Sequence, residues 1–476
     1  MVKIINTGNS YRNGDSGMDI YINNRMDVKG KRVLVVGIAR SGVAVAKFLA
    51  GKGTRVVLTD QKTREQLAET LREIPADVEV IAGEYPDFTG GEYDFLVVSP
   101  GVPLSIPPIK RAVDLGIPVL SELELAYRFS GAPIVAITGT NGKTTTTTLI
   151  GEIFKEAGKR VCVGGNIGLP LALEVERYGA GDVIVAEVSS FQLECIHKFK
   201  PKAAAILNFT PDHLDRHGTM DNYIAAKARI FENQDSGDFT ILNYDDRGVR
   251  KMEAKTPGRV IFFSREHMLE EGIFVQDGHI IIRLDGKLET VCPVKDIFIK
   301  GAHNVENALA AGAAAYVMGV PAAVIAKVLR EFRGVAHRLE MVAEVDGVRY
   351  VNDSKGTNPD ASIKALEAYE EPIILLAGGR NKGSDFTEFA GKVRDKVRCL
   401  VIFGECRDEI REAVGKMGFT GIYEAGTFEE AVATAAREAG RGEIVLLSPA
   451  CASWDMFKDF EERGERFKEL VMSLRR

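Results

Sequence analysis

Residues 134–147 read Ile-Val-Ala-Ile-Thr-Gly-Thr-Asn-Gly-Lys-Thr-Thr-Thr-Thr. The apolar run 134–137 predicts a buried strand, a short polar turn follows, and Lys143-Thr144 opens a stretch that can continue as a helix. Strand, glycine turn and helix start aim backbone N–H groups at one point, and with the positive helix end they can hold a polyphosphate. Gly139, Thr140, Asn141 and Gly142 form the cradle, and Thr145 stands in the first helical turn. Lys143 can reach the β/γ oxygens, and the Thr144 hydroxyl can ligate Mg²⁺. The ordinary loop, G-x-x-x-x-G-K-[ST], would place its first glycine at Ile137, so this turn is shorter. A glycine turn before an ordinary helix is the competing reading.

At 476 residues the chain exceeds the size at which one core keeps growing, which predicts about two to four domains. Hydrophobic residues make up 45% and charged residues 27%, ordinary for a globular protein. No apolar stretch reaches the roughly 18 residues needed to span a bilayer, so no membrane insertion is expected. The net charge of −6 argues against nucleic acid as a partner. Six scattered cysteines show no zinc spacing. Only Cys399 and Cys406 are close in sequence, and reduced, buried thiols fit a cytoplasmic enzyme. Residues 1–27, rich in Asn, Gly and Asp, read as a flexible leader, with Met26 a plausible true start.

Upstream of the phosphate loop, over residues 28–122, strands at 32–36, 56–59 and 95–99 alternate with helical stretches. This βαβ rhythm implies a parallel sheet with ligand-facing loops at the strands' carboxyl ends. Gly37-Ile38-Ala39-Arg40-Ser-Gly42 keeps only the first and last glycines of a dinucleotide fingerprint. A nicotinamide cofactor, another nucleotide diphosphate and a structural turn all remain open there. Asp60 can accept a hydrogen bond from a base or ribose, and Arg40 can meet a phosphate. The strand 95–99 ends in Ser99-Pro100-Gly101.

The middle stretch, residues 123–332, carries a second apolar strand at 183–188 with Glu187 inside it. A carboxylate there costs several kcal/mol unless it is paired or bound to metal. Opposite a phosphate loop, Mg²⁺ is its natural partner; a structural ion pair is the alternative. A strand at 203–207 runs into a polar loop through Asp212, His213, Asp215 and His217. Such groups at a strand's carboxyl end point to an active site, and His213 can offer one imidazole nitrogen to a second Mg²⁺. His217 reads as a rim residue, and Lys227 on the following helix as an exposed lysine. Asn304 and Asn307 lie one helical turn apart and can grip a ring edge or ribose, with capping or surface display as competing roles.

Residues 333–476 add strands at 348–351, 373–376, 401–403 and 444–447 with helices between them, a third α/β domain. Asn358 can cap the helix that Pro359 begins. Lys382 and Ser453 stand where a carboxylate can be clamped, and Phe460 can wall that pocket.

Taken together, these residues resemble the Mur ligases of peptidoglycan synthesis, and within them the glutamate-adding branch, from about Lys29 to the C-terminus. The motifs are Thr-Gly-Thr-Asn-Gly-Lys-Thr (138–144), Gly-Gly-Asn-Ile-Gly (164–168), Glu-Val-Ser-Ser-Phe-Gln-Leu-Glu (187–194) and Asp-His-Leu-Asp-Arg (212–216). Further on stand His-Asn-x-x-Asn (303–307), His-Arg (337–338), Asn-Asp-Ser-Lys-Gly-Thr-Asn (352–358) and Ser-Pro-Ala-Cys-Ala-Ser-Trp-Asp (448–455). The short phosphate turn is itself the family's form.

The resemblance implies an α/β chain of three domains: a Rossmann-like N-terminal domain, a central P-loop ATPase-type domain with a mainly parallel sheet, and a C-terminal Rossmann-like domain. It implies a monomeric, cytoplasmic enzyme that uses ATP and two Mg²⁺ to join D-glutamate to UDP-MurNAc-L-Ala through an acyl phosphate. By that likeness Lys143, His213 and Lys227 are catalytic, and Thr144, Glu187, His213 and Lys227 serve the metals. Lys227 would be carbamylated, which reverses its reading as an exposed lysine. Asn304, Asn307, Arg338 and Asp353 would address ATP. Ile38, Ala39, Arg40, Asp60, Ser99 and Gly101 would hold the UDP part, with Asn166, Ser189 and Gln192 near the muramoyl part. D-glutamate would meet Thr357, Lys382, Ser453 and Phe460. Lys62 stands where the branch often has arginine, and Trp454 where a smaller apolar residue is found. Rival readings are an amide ligase for another amino acid or a folate, an NAD-dependent oxidoreductase, and a nucleotide-binding scaffold.

Overall fold

The computed structural model describes residues 26–474. The expected leader therefore lies outside the described residues, except for Met26 and Asp27. Met26 packs against the core, and its sulfur accepts a hydrogen bond from Arg128.

Three sheets follow one another along the chain. The first holds β1 (Arg32–Val36), β2 (Arg55–Asp60), β3 (Glu79–Ala82), β4 (Phe95–Val98) and β5 (Val119–Ser121), all parallel, in the order β3-β2-β1-β4-β5. The order reverses between β1 and β4, so the loops after these strands diverge and leave a crevice at their carboxyl ends. Residues 37–40 and 99–101 form its walls.

The second sheet comprises β6 (Ile134–Thr138), β7 (Val161–Gly165), β8 (Val183–Glu187), β9 (Ala203–Ile206), β10 (Phe239–Asn243), β11 (Arg259–Ser264), β12 (Gly272–Gln276), β13 (His279–Leu284) and β14 (Lys287–Pro293). Its order is β14-β13-β12-β11-β10-β9-β6-β8-β7. The run from β7 to β12 is parallel, and β13 and β14 extend it as antiparallel hairpins. β6 lies between β8 and β9. The three loops after these strands therefore emerge side by side, and they carry the phosphate cradle, Glu187 and His213.

The third sheet holds β15 (Glu340–Val345), β16 (Val348–Asn352), β17 (Ile373–Gly378), β18 (Val397–Phe403), β19 (Ile422–Glu424) and β20 (Ile444–Leu447), in the order β15-β16-β20-β17-β18-β19. All pairs are parallel except the edge strand β15. Loops after β16, β20 and β17 emerge together and face the second sheet.

One apolar core runs between the first two sheets through the helix Glu122–Phe129, from Val33 and Val97 by way of Leu123 and Leu125 to Ile184 and Ala204. The division expected at 122/123 falls in the first turn of that helix. The third sheet keeps cores of its own on both faces. Among the described residues no helix is long and apolar enough to cross a membrane.

The expected strands are present, with shifted ends: 401–403 extends back to Val397, and 183–188 stops at Glu187. The edge hairpins are additions. β12–β13, β13–β14 and β15–β16 each turn on Asp-Gly (277–278, 285–286, 346–347), with φ positive at both residues. That geometry matches the twist of the flanking strands.

Candidate active site

The phosphate cradle is set by its glycines. Gly139 and Gly142 have φ of 144° and 84°, and a Cβ at Gly142 would lie 2.3 Å from the Asn307 Oδ1. The turn thus packs directly onto the helix Ala302–Val317 and delivers the start of the helix Lys143–Glu156 to the sheet's carboxyl edge. Asn208 pins the turn, its Oδ1 accepting from the Asn141 N–H at 2.9 Å and its Nδ2 donating to the Asn141 carbonyl at 3.1 Å. Lys143 folds back to donate to the carbonyls of Gly139 (3.0 Å) and Thr140 (2.7 Å).

Glu187, 2% exposed at the end of β8, accepts from the Thr144 hydroxyl at 2.7 Å and from Asn166 Nδ2 at 2.8 Å. Lys227 is also 2% exposed, not a surface lysine. Its ammonium lies 4.6 Å from the Tyr223 ring centre and donates to the Gly139 carbonyl at 2.8 Å. Burial, then the charge of Lys143, holds the Lys227 pKa well below its ordinary value. Burial lowers that of Lys143 as well. His213, at a left-handed φ of 53°, packs edge-on against Phe191. Burial pushes its pKa down to about 4 against the pull of Asp212, so the imidazole is neutral at neutral pH and has a lone pair to give.

The third sheet's loops close over these groups. Lys382 Nζ meets Asp212 Oδ1 at 2.9 Å, with the two side chains 10% and 8% exposed. Asn358 donates to the other Asp212 oxygen at 3.3 Å. Burial alone would raise the Asp212 carboxyl, but Lys382, His213 and Lys143 bring it to about 2. Asp360 accepts from Asn141 and from the Thr210 hydroxyl, clasping the cradle itself. Lys355 stands 4.6 Å from the Phe460 ring centre, and burial brings its pKa down to about 8.

Two cavities flank the cradle. The larger, about 370 Å³, is lined by Thr140–Thr144, Asn166, Glu187, Asp212, His213, Arg338, Lys355, Thr357, Lys382, Ser453, Trp454 and Phe460. The smaller lies beside Gly142 and Thr145 and is walled by His303, Glu306, Asn307, Arg338, Asp353 and Lys364. Arg338 approaches Asp353 at 3.6 Å, and burial raises this fully enclosed carboxyl to about 6. Asn304 and Asn307 are buried rather than displayed. Asn304 donates to the Lys300 carbonyl and accepts from Asn307 at 3.1 Å, so it steadies the residue that lines the cavity.

Other expected residues sit apart. Ser189 and Gln192 form a capping box on the short helix Ser190–Leu193, and Gln192 is buried. In the first sheet both Asp60 oxygens are engaged by backbone, with Ile38 N–H at 2.8 Å and Lys62 N–H at 2.9 Å. The Ser99 hydroxyl donates to the Gly37 carbonyl at 2.9 Å. Ala39, Arg40 and Gly101 remain exposed around that turn. Burial raises the carboxyl of Glu461 on the chamber wall, and the charges of Lys355 and, more weakly, Arg40 pull the other way. His303, Glu306, Lys355 and Lys364 line the two cavities although local sequence assigns them no individual role, and Asp212, from the polar loop expected at the site, joins them.

A short phosphate cradle on a mainly parallel sheet, roofed by a third α/β unit, defines a nucleotide-phosphate enzyme architecture. The chain matches the Mur ligase MurD-like N-terminal domain over residues 31–121, the Mur ligase middle domain over 137–315 and the Mur ligase glutamate ligase domain over 337–451. It belongs to the Mur ligase family. It is 59% identical to the UDP-N-acetylmuramoylalanine--D-glutamate ligase of Pelotomaculum thermopropionicum, over 94% of this chain and 99% of that one. The ligase of the same name from Thermoanaerobacter pseudethanolicus is 50% identical, over 95% and 100%. In fold, the chain is similar to the UDP-N-acetylmuramate-alanine ligase of Thermotoga maritima, with a TM-score of 0.59 at 20% identity over 93% of this chain and 99% of that one.

Proposed function

We propose that the chain is an ATP-dependent ligase that joins D-glutamate to the L-alanyl carboxylate of UDP-N-acetylmuramoyl-L-alanine, a step of peptidoglycan precursor synthesis. The observation that carries this reading is a single chamber in which Lys143, Glu187 and His213 of the second sheet face Thr357, Lys382 and Ser453 of the third. A carboxylate is a poor acyl donor and repels a polyphosphate, so cations and helix N–H groups must hold the two anions together first.

ATP phosphates lie over the start of the helix Lys143–Glu156, where Lys143 exchanges its loop carbonyls for phosphate oxygens. The adenosine part occupies the smaller cavity, against Asn307, Arg338 and Asp353. Mg²⁺ fits the donors present: Glu187 carboxylate and Thr144 hydroxyl are hard oxygen groups 2.7 Å apart, and His213 is neutral. When bound, Mg²⁺ neutralises charge on the phosphates; Glu187, Thr144 and His213 would hold it at two sites. Burial favours the free amine of Lys227, the form that adds CO₂ to give a carbamate and a proton, and that anion would join the ligands.

The acceptor carboxylate attacks the γ-phosphorus, and ADP leaves. The amine of D-glutamate attacks the resulting acyl phosphate, and phosphate departs through a tetrahedral intermediate. Lys382, Ser453 and Thr357 would hold the carboxylates of D-glutamate, with Phe460 as a wall. The first-sheet crevice around Ile38–Arg40 and Ser99–Gly101 would take the uridine diphosphate. We infer a cytoplasmic reaction on a monomer, a reading supported by six buried free thiols and by a chamber built from one chain's loops.

The test is phosphate release with UDP-N-acetylmuramoyl-L-alanine, ATP, Mg²⁺ and a panel of amines. Release with D-glutamate but not with L-alanine, L-lysine or diaminopimelate is expected. No ADP with any amine, or equal release with all of them, overturns the proposal.

A further inference from the structure

Six cysteines are buried and free, and sequence spacing points to Cys399 and Cys406 as neighbours. The fold instead brings Cys406 to Cys451, 45 residues away, with the sulfurs 2.8 Å apart and each residue 1% exposed. Neither thiol has a role in the proposed reaction. We propose that Cys406 and Cys451 are a reversible modification site, a dithiol that closes to a disulfide and ties the Ser453 loop to the helix Arg407–Lys416.

Both backbones are already anchored. The Cys406 N–H donates to the Gly379 carbonyl at 2.9 Å, at the root of the loop that leads to Lys382. The Cys451 carbonyl accepts from buried Arg463 at 3.2 Å. On one side of Cys451, Ala450 is held at a left-handed φ of 60°; on the other, Ala452 exchanges backbone hydrogen bonds with Arg380 at 2.8 and 3.0 Å. A disulfide needs its sulfurs at about 2.05 Å, so closure draws the two sulfurs together by somewhat under an ångström. Rotation about the two Cα–Cβ bonds takes up most of this movement, and the new bond then fixes the Cys451 side chain beside Ala452 and Ser453, which line the chamber.

The oxidant is a peroxide. One sulfur takes an oxygen from H₂O₂ and releases water; the second sulfur displaces hydroxide from the resulting sulfenic acid, forming the S–S bond and a second water. A small dithiol reverses it by exchange, regenerating both thiols and leaving its own disulfide. Reversible disulfides of this kind are the form such bonds take in a reducing compartment.

The functional consequence rests on the proposed D-glutamate site. Full-length reduced protein is treated with H₂O₂, its free thiols are counted after denaturation, and its peptides are mapped. A fall from six thiols to four is expected, with a linked Cys406–Cys451 peptide two hydrogens lighter that disappears with dithiothreitol. The oxidised protein is expected to show a KM for D-glutamate raised about tenfold at unchanged KM for ATP. Cys406→Ser and Cys406→Ala are expected to keep the reduced enzyme's constants and not respond to peroxide. Six thiols after treatment, a link between other cysteines, or a mapped link with an unchanged D-glutamate KM overturns the proposal. Failure of the reaction itself would show as no turnover by the reduced protein, and the peptide map remains decisive in that case.

Discussion

Lys143 and Lys227 donate to the same carbonyl oxygen, that of Gly139, at 3.0 and 2.8 Å. Two ammonium groups on one acceptor repel each other, and burial disfavours both charges. Lys227 is the more enclosed, so its neutral amine is the favoured way out, and carbamylation goes further by reversing the sign. ¹³C-bicarbonate is expected to give a carbamate carbon resonance that is absent in Lys227→Ala. That substitution is expected to lower kcat about 100-fold, the scale of losing one charged group at a reacting phosphoryl. Unchanged turnover in Lys227→Ala would remove the lysine from the mechanism.

Glu187 is held by one hydroxyl and one amide, with no cation bonded to it among the described residues. Glu187→Gln keeps the shape and removes the charge. Half-maximal phosphate release is expected to need about 10- to 100-fold more Mg²⁺. Thermal stability is expected to hold or rise, because a buried carboxylate disappears. A Mg²⁺ titration alongside a melting curve separates this from misfolding.

The phosphate loop and the central strands were legible because their signals are local: apolar runs of four or five residues, each broken by a turn. The outer strands alternate, and β13, one strand in from the sheet's edge, places buried positions in turn with exposed or half-buried ones. Their signal was the Asp-Gly pairs at 277, 285 and 346, which a search for apolar runs passes over. Site residues divide along the same line. Thr144 and Lys143 follow from the loop itself. The burial of Lys227 is decided by Tyr223 and a carbonyl 88 residues earlier, so helical spacing alone read it as exposed. Asp212 and Lys382 are 170 residues apart, and nothing near either announces the other. Ser189 and Gln192 carry a capping-box signature, and here they serve it.

The Lys382–Asp212 pair joins the second and third sheets and stands where D-glutamate is proposed to bind. A substrate carboxylate would take Lys382 from Asp212, so the pair holds the roof closed until then. Lys382→Ala removes both contacts. The KM for D-glutamate is expected to rise about 10- to 100-fold, as for loss of one charged hydrogen bond, with the KM for ATP nearly unchanged. X-ray scattering of the free variant is expected to show a larger radius of gyration. An unchanged radius with a raised KM would leave Lys382 a substrate ligand only.

Glu122 supplies a pH test away from the chemistry. It is 1% exposed and accepts the Ala172 N–H at 2.7 Å, and burial raises its pKa from 4.5 to about 7. Below about pH 4.5 the folded and unfolded chains both hold the proton. Between 4.5 and 7 the folded chain keeps it while the unfolded chain releases it, so stability falls as pH rises through this window, by about 3 kcal/mol in all. Glu122→Gln keeps an oxygen for Ala172 and cannot ionise. The variant is expected to match the wild type near pH 4.5 and to exceed it by up to about 3 kcal/mol at pH 8, read from urea unfolding at each pH. Parallel curves for the two proteins would mean that Glu122 ionises at its ordinary pH inside the fold, and that the Ala172 and Leu171 N–H groups, with the charge of Arg40, offset the burial.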